Sequence, residues 1–274
     1  MKTVVITGSA RGFGLELAKV FKKNDFNVIL SDVNEENLTK ALEELENIKS
    51  KSKAIKIVCD VTKYSDVEGL WKDAKIAFGV VDIWINNAGV NQPDLPVMDL
   101  SNKDVDFLLS VDLKGTIYGS KVAFKGMRVQ GHGQIYNVEG YGSNDAMKTG
   151  LTVYGTAKRA VTYFTQALAK ESETVSGGRV HVCRLTPGIM ITDFLFSANG
   201  GSTHIELSPE TKKIYNILGD YPSTIAEYVV PKMIKNEKNN AKIAWLTNTR
   251  AFGKFIKACF VKRNFFPSTK NENK

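Results

Sequence analysis

The chain has 274 residues, of which 43% are hydrophobic and 24% are charged, and its formal net charge is +8. This composition is that of a globular protein rather than a disordered one. No run approaches the roughly 20 apolar residues that a membrane-spanning helix needs. Residues 241–274 hold eight basic residues and one acidic residue, a net charge of +7, so the remaining chain carries only +1. The body of the protein is therefore not predicted to bind nucleic acid.

The N-terminal residues pass directly into a buried-strand pattern, Val4-Val-Ile6, which leaves no room for a signal peptide. The three cysteines, Cys59, Cys183 and Cys259, are far apart in mostly apolar surroundings. Such cysteines are typical of reduced, packed thiols in a cytosolic protein. We therefore expect a cytoplasmic protein without a catalytic thiol, and no metal site is predicted.

Short apolar runs alternate with longer amphipathic ones along the chain. Strands are predicted at residues 2–6, 27–30, 54–59, 81–86, 134–138, 179–185 and 242–246, and helices at 12–24, 35–49, 64–78, 101–129 and 152–173. An irregular stretch extends from Thr186 to about Pro222. Strands that alternate with helices of this length predict a doubly wound α/β fold, in which a parallel sheet has helices on both faces. We expect one domain over 1–248, with a substrate loop at 188–222, and a basic aromatic tail at 249–274.

A glycine-rich turn lies between the first predicted strand and the first predicted helix. It contains Gly8, Ser9, Arg11, Gly12, Phe13 and Gly14. Glycines in this position let the backbone approach a pyrophosphate, whose charge is favoured at the helix N-terminus. No Gly-Lys-Ser/Thr follows, which excludes the phosphate loop of a nucleoside triphosphatase. The pattern favours a dinucleotide site, and a tight turn without a ligand is the alternative.

Asp32 ends the second predicted strand, eighteen residues after Gly14. A carboxylate there can bind the ribose hydroxyls of the adenosine and would repel a 2′-phosphate. Asp32 therefore favours NAD(H), whereas Arg11 in the turn leaves NADP(H) open. Asp32 could also serve as a turn or cap residue before the next helix.

Tyr154 and Lys158 stand four residues apart in a predicted helix. This spacing places both side chains on one face, one turn apart. An ammonium near a phenol favours the phenolate, so we expect Lys158 to lower the pKa of Tyr154. A tyrosine tuned in this way can exchange a proton with a carbonyl or alcohol oxygen.

These motifs together resemble the short-chain dehydrogenase/reductase family. The resemblance covers nearly the whole chain: Thr7-Gly-x-x-x-Gly-x-Gly14, Asp32, Cys59-Asp-Val61, Asn86-Asn-Ala-Gly89, Tyr154-x-x-x-Lys158, and Pro187-Gly188 with Thr192. It implies that Asp60 and Val61 flank the adenine, that Asn87, Ala88 and Gly89 line the cofactor, and that Pro187, Gly188 and Thr192 hold the nicotinamide end. It further implies that Lys158 binds the nicotinamide ribose. The expected reaction is hydride transfer, with a homodimer or homotetramer as the assembly.

Two positions depart from the catalytic pattern of the family. Asp112 stands where an asparagine is expected, so it would be protonated or would pair with Lys158 through water. Glu139 and Gly140 stand where the family places two serines. Ser143, eleven residues before Tyr154, is our candidate to orient the substrate oxygen; Tyr141 and Asn144 are alternatives.

The segments Asn137-x-x-Gly-x-Gly-Ser143, Tyr154-Gly-x-x-Lys-Arg159 and Trp245-Leu-Thr-Asn-Thr-Arg250 are similar to the chlorophyll b reductase-like branch of this family, which favours reduction. Its predicted substrate loop contains the apolar residues Phe194, Leu195, Phe196, Ile205, Ile214, Tyr215, Ile217 and Leu218. They would suit a hydrophobic carbonyl or alcohol substrate, or would simply pack a helix onto the body. A catalytically weakened NAD(H)-binding sensor or scaffold is the alternative function.

The tail interleaves Phe252, Phe255, Ile256, Cys259 and Phe260 with basic residues. We favour packing against the chain itself or a neighbouring subunit. Peripheral contact with an anionic membrane is the alternative. No groove-reading motif accompanies the tail, so nucleic acid is not an expected partner.

Overall fold

The computed structural model describes residues 1–198, 201 and 203–267. The described strands are β1 (Thr3–Thr7), β2 (Asn27–Asp32), β3 (Ala54–Val58), β4 (Ile83–Asn86), β5 (Gly133–Val138), β6 (Val180–Thr186), β7 (Ser197–Ala198), β8 (Thr203–His204) and β9 (Lys242–Ala244). Within these residues, seven strands form one sheet in the order β3-β2-β1-β4-β5-β6-β9. All the pairings in this sheet are parallel. The strand order reverses between β1 and β4, which opens a crevice at the carboxyl ends of the strands.

Helices cover both faces of the sheet. The described α-helices are α1 (Gly12–Lys23), α2 (Glu35–Glu46), α3 (Tyr64–Phe78), α4 (Asn102–Leu108), α5 (Thr116–Gln130), α6 (Thr152–Val175), α7 (Pro209–Leu218), α8 (Pro222–Ile234) and α9 (Asn248–Ala258). The predicted doubly wound fold is therefore confirmed. Most predicted ends lie within three residues of the observed ones.

The strands of the sheet interior are apolar because both of their faces are covered. In β1, Val4 and Ile6 pack on the side of α1, α2 and α8, whereas Val5 packs on the side of α3, α5 and α6. All three side chains are fully buried. Burial of each stabilises the fold by about 1.5–3 kcal/mol.

Two segments differ from the sequence-based expectation. The single helix predicted at 101–129 is interrupted by a π-helical turn, Leu109–Gly115, between α4 and α5. The stretch predicted to be irregular up to Pro222 contains α7, which begins with a Ser208 cap that accepts a hydrogen bond from the Thr211 amide. The alternation of strands and helices does not predict either feature. A wider helical turn and a second consecutive helix both leave the βαβ pattern unchanged.

Candidate active site

A cleft of about 1110 Å³ lies at the carboxyl ends of the strands. Most residues predicted to bind the cofactor line it: Gly8, Arg11, Gly12, Phe13, Asp32, Asp60, Val61, Asn87, Ala88, Gly89, Tyr154, Lys158 and Thr192. The parallel sheet explains this convergence, because the loops after β1, β2, β3 and β4 all leave the sheet at the same edge. The fold thus brings residues from distant parts of the sequence into one site.

The glycine-rich turn joins β1 to α1 at the centre of the cleft. Gly12 has φ +58°, and a Cβ at this position would point into open space. Arg11 precedes α1 without capping it through its side chain, so the first-turn amides of α1 are not covered by a side-chain acceptor. The Asn87 amide nitrogen supports the turn, donating to the carbonyls of Thr7 at 3.0 Å and Gly8 at 2.8 Å. An anion placed against this turn would meet backbone N–H groups and the positive end of the helix.

Asp32 lies at the end of β2 and faces the same cleft. One carboxylate oxygen accepts from the Asn34 amide at 3.1 Å, and the other lies 3.4 Å from the Ala10 amide. Asn34, rather than Asp32, caps α2 by accepting from the Asn37 amide at 2.8 Å. Asp32 is therefore not the helix cap and presents its charge to the cleft.

Tyr154 and Lys158 lie on one face of α6, as predicted, with Lys158 Nζ 5.5 Å from the centroid of the Tyr154 ring. Lys158 Nζ also lies 2.8 Å from Asp112 Oδ2, with both side chains buried. The other oxygen of Asp112 accepts from the Val90 amide at 2.7 Å. The expected water link between Asp112 and Lys158 is therefore wrong, because the contact is direct. The other alternative, a protonated Asp112, stays a prediction.

The π-helical turn explains how Asp112 reaches this position. The turn places the Asp112 side chain inward, and the Asp112 carbonyl accepts a 2.7 Å hydrogen bond from Thr116 Oγ1. Such widened turns occur frequently at functional sites. Here the irregularity brings a carboxylate from one helical segment to a lysine of α6.

The structure corrects the expected acidity of the phenol. Burial raises the pKa of Tyr154 to about 12; Lys158 opposes this shift, and Asp112 adds to it. Burial lowers the pKa of Lys158, but Asp112 and Tyr154 outweigh that effect and leave it raised. Burial raises the pKa of Asp112 against the opposing influence of Lys158. The four-residue spacing between Tyr154 and Lys158 shows neither the burial of the ring nor the carboxylate of Asp112 beside the lysine.

Ser143 does not lie where the sequence argument placed it. Its hydroxyl donates to the Lys158 carbonyl at 3.3 Å and accepts from the Gly140 amide at 3.1 Å. It is buried and is not among the described residues that line the cleft. Gly140 is instead the neighbour of the phenol, since a Cβ on Gly140 would lie 2.4 Å from Tyr154 Oη. The two alternatives, Tyr141 and Asn144, are exposed.

Four predicted cofactor-binding residues do not line the cleft. They are Ser9, Gly14, Pro187 and Gly188. Ser9 Oγ is buried, donates to the Ile6 carbonyl and accepts from the Ser31 amide, each at 2.8 Å. Gly14 packs against the Gly8 carbonyl, and Gly188 packs against Leu246. These residues shape the turns from which their neighbours reach the cleft.

The cleft also contains residues that sequence reasoning did not single out. Val90 and Met190 are among them, and Glu139, which the sequence marked only as a departure from the family's serines, also lines the cleft. Glu139 is buried and accepts from Thr162 at 2.9 Å and from Thr186 at 2.6 Å, which connects β5, α6 and β6. Phe194, predicted as a lid residue, does line the cleft, and its ring centroid lies 6.1 Å from that of Tyr154. Val90 directly follows Gly89, and Met190 lies between Gly188 and Thr192, so the positions next to and within the recognised motifs are the signal that points to both.

Gln92 supports the catalytic helix from the loop after β4. Its side-chain oxygen accepts from the Tyr154 amide at 2.7 Å, and its side-chain nitrogen donates to the Gly150 carbonyl at 2.6 Å. Leu151 precedes α6 and has no side-chain cap hydrogen bond. Gln92 therefore satisfies a first-turn amide that a local cap would ordinarily satisfy.

Comparison with known proteins places this site in a family. The family model described as short chain dehydrogenase matches residues 2–201. The chain is 33% identical over 265 residues to "Probable chlorophyll(ide) b reductase NYC1, chloroplastic" of Oryza sativa subsp. japonica, covering 91% of this chain and 50% of that protein. It is 31% identical over 259 residues to "Chlorophyll(ide) b reductase NOL, chloroplastic" of the same plant, covering 92% of this chain and 74% of that protein. The chain thus spans about half the length of the first of these relatives.

Solved structures show the same fold. The NAD+-bound xylitol dehydrogenase has a TM-score of 0.76 at 23% identity, covering 89% of this chain and 96% of the other. Levodione reductase has a TM-score of 0.77 at 22% identity, covering 91% and 98%. The matched family model, together with the two relatives that are more than 30% identical, shows that the chain belongs to the short chain dehydrogenase family of NAD(P)-dependent oxidoreductases.

Proposed function

We propose that this protein transfers hydride between a nicotinamide dinucleotide and the carbon of a hydrophobic carbonyl or alcohol substrate. The observation that carries the proposal is the presence of Tyr154, Lys158 and the glycine-rich turn in one cleft. The bound dinucleotide would supply or accept the hydride at nicotinamide C4. Tyr154 would supply or accept the proton at the substrate oxygen.

The residues of the cleft fit a dinucleotide. Open space at Gly12 and the first-turn amides of α1 suit a pyrophosphate. The resemblance assigns Asp32 and Asp60 to the adenosine and Lys158 and Thr192 to the nicotinamide riboside, and all four residues line the cleft. We therefore assign these residues to cofactor binding.

The protonation state of Tyr154 supports carbonyl reduction as the favoured direction. With a pKa of about 12, Tyr154 is protonated at neutral pH and can donate to a carbonyl oxygen as charge develops there. The phenolate that remains would be stabilised by the Lys158 ammonium, which Asp112 holds in place. The names of the two relatives above, as reductases, also favour this direction.

The proposed substrate is a hydrophobic aldehyde or ketone. Val90 and Phe194 pack with Tyr154 beside the cleft, and Met190 also lines the cleft. Other residues of the predicted lid, Leu195, Phe196 and Tyr215, instead pack with Ile205 and Phe266. Both interpretations of the substrate loop thus apply, each to a different part of it.

We propose NAD(H) as the preferred cofactor because Asp32 presents a carboxylate to the cleft. The test compares NADH and NADPH binding by the quenching of protein fluorescence. Wild-type protein should bind NADH more tightly, and Asp32→Asn should reduce this preference by roughly tenfold or more, since one like-charge repulsion is removed. Equal affinities in the wild type, or an unchanged ratio in the variant, would contradict the assignment.

The function itself is tested by following the absorbance of reduced cofactor with a panel of hydrophobic aldehydes and ketones. Turnover with at least one of them is expected. The buried hydroxyl of Ser143 and the glycine at position 140 favour a second candidate, a weakened enzyme that serves as an NAD(H) sensor. Tight NADH binding without turnover across the panel would favour the sensor. The resemblance also supports a homodimer or homotetramer, which sedimentation velocity would test.

A further inference from the structure

The C-terminal helix α9 packs two of its basic side chains, Arg250 and Lys254, against the body of the protein. Lys254 forms an ion pair with Asp220, and Arg263, which follows the helix, lies 3.0 Å from the same carboxylate. Arg250 stacks on Trp245, with its guanidinium carbon 3.8 Å from a ring centroid. Three of the cations of this segment are therefore held by the body of the protein.

The opposite side of α9 is apolar and faces solvent. Phe252, Phe255 and Ile256 are three and four residues apart within α9, which places them on one face of the helix, and Phe260 lies two residues after the helix ends. Phe252 is 68% exposed and Phe260 is 84% exposed. The expectation that these aromatic residues pack on the chain itself is therefore wrong, and their packing on a neighbouring subunit stays a prediction. A helix on a soluble surface ordinarily shows the reverse arrangement, with its apolar stripe against the core.

The charge around this face is of one sign. Residues 248–267 contain five basic residues and no acidic residue. Lys257 and Lys262 are exposed, and within the described part of the chain neither forms an ion pair. The apolar face is thus bordered by cations that the body does not neutralise.

We propose that α9 docks on an anionic lipid membrane, with its aromatic face in the interface and its free lysines on the headgroups. An interfacial helix of this kind combines an apolar face with flanking cations. In the described residues no helix has the length and apolar content to cross a bilayer, so contact from one side is the mode that α9 allows. A second copy of the chain is a less suitable partner for this face. In a symmetric contact its α9 would bring the same unpaired lysines against those of the first copy.

The helix α9 is attached to a segment that lines the cleft. Asp220, which binds Lys254 and Arg263, also forms backbone hydrogen bonds to Ile189 at 3.1 Å and Ile191 at 3.0 Å. Met190 between them lines the cleft. Membrane docking would therefore hold the wall of the proposed substrate site at the lipid surface, although the docking itself does not depend on the proposed reaction.

The test uses the single exposed cysteine of the chain as a reporter. Cys59 and Cys183 are buried, whereas Cys259, the residue directly after α9, is exposed. Full-length protein labelled at Cys259 with an environment-sensitive fluorophore should show a blue shift with phosphatidylcholine vesicles that contain phosphatidylglycerol. Vesicles of phosphatidylcholine alone should give little shift, and added salt should reverse it. Co-sedimentation of unlabelled protein gives the partition coefficient.

Matched variants separate the aromatic face from the charge. Phe252→Ser with Phe260→Ser should weaken partitioning by about tenfold or more, as expected for the loss of buried apolar area. Lys257→Glu with Lys262→Glu should do the same. Val129→Ser, a change at an equally exposed apolar residue of α5, and Lys72→Glu with Lys125→Glu, the same charge change elsewhere, should leave partitioning intact.

Each outcome decides the proposal. NADH affinity measured on every variant shows whether the fold and the cofactor site persist, so a failure of docking is distinguishable from a failure of the proposed function. No partitioning of the wild type into anionic vesicles would overturn the proposal. So would a double serine variant that leaves partitioning unchanged but dissociates an oligomer in sedimentation velocity, because that result assigns the face to a second copy.

Discussion

Asp112 and Lys158 form a buried ion pair, with 2.8 Å between Oδ2 and Nζ, at the centre of the candidate active site. Lys158 places a full positive charge beside Tyr154, and Asp112 holds the lysine in that position. Removing one partner leaves the other charge buried without compensation, a change that typically costs about 3–5 kcal/mol.

We predict that Asp112→Asn and Lys158→Met each lower the free energy of unfolding by an amount of this order. The double variant should lose clearly less than the sum of the two, since it leaves no unpaired charge. Urea denaturation, followed by circular dichroism, gives the free energy of unfolding of the wild type, the two single variants and the double variant. Additive losses would show that the pair is not coupled.

The raised pKa of Tyr154 predicts the pH dependence of the reaction. Alcohol oxidation needs the deprotonated phenol, so its kcat should rise with pH and should not level off at the ordinary tyrosine pKa of about 10. Carbonyl reduction needs the protonated phenol and should be flat through neutral pH. A plateau of the oxidation rate near neutral pH would mean that Lys158 outweighs burial.

Gly140 is predicted to be required beside the phenol. Gly140→Ser restores the residue type that the family places there, but its Cβ would lie 2.4 Å from Tyr154 Oη. The phenol must then move, and we expect kcat to fall at least about tenfold with NADH affinity retained. Gly69→Ala in α3, where a Cβ meets nothing within 4 Å, is the matched control and should preserve activity. Higher turnover in Gly140→Ser would refute this account of the site.

Gln92 is predicted to position Tyr154 through its backbone. Gln92→Leu removes the acceptor for the Tyr154 amide and should cost about 1–3 kcal/mol of stability. We expect kcat to fall more than the affinity for NADH. Gln92→Glu keeps an acceptor oxygen but buries a carboxylate against the Gly150 carbonyl, so its stability and kcat should also fall below those of the wild type. Equal activity of all three proteins would show that the hydrogen bond is dispensable.

The sequence predicts the parts of this protein that follow from regular spacing. The alternation of strands and helices gives the sheet, and the four-residue step from Tyr154 to Lys158 gives their shared face. The π-helical turn that brings in Asp112 interrupts that regularity, so periodicity extends a single helix across it. The orientation of α9 was missed for a different reason: composition shows that Phe252 and Lys254 alternate, but only the position of Asp220 decides which of them turns inward.

The most direct test of the account is the activity of Tyr154→Phe, which removes one hydroxyl and keeps the ring. The measurements are NADH affinity and reductive turnover with the best substrate of the panel. We predict an NADH affinity within about twofold of wild type and a kcat lower by about 10²–10⁴-fold, the usual contribution of a positioned proton donor. Turnover equal to that of the wild type would contradict the assignment of Tyr154 as that donor.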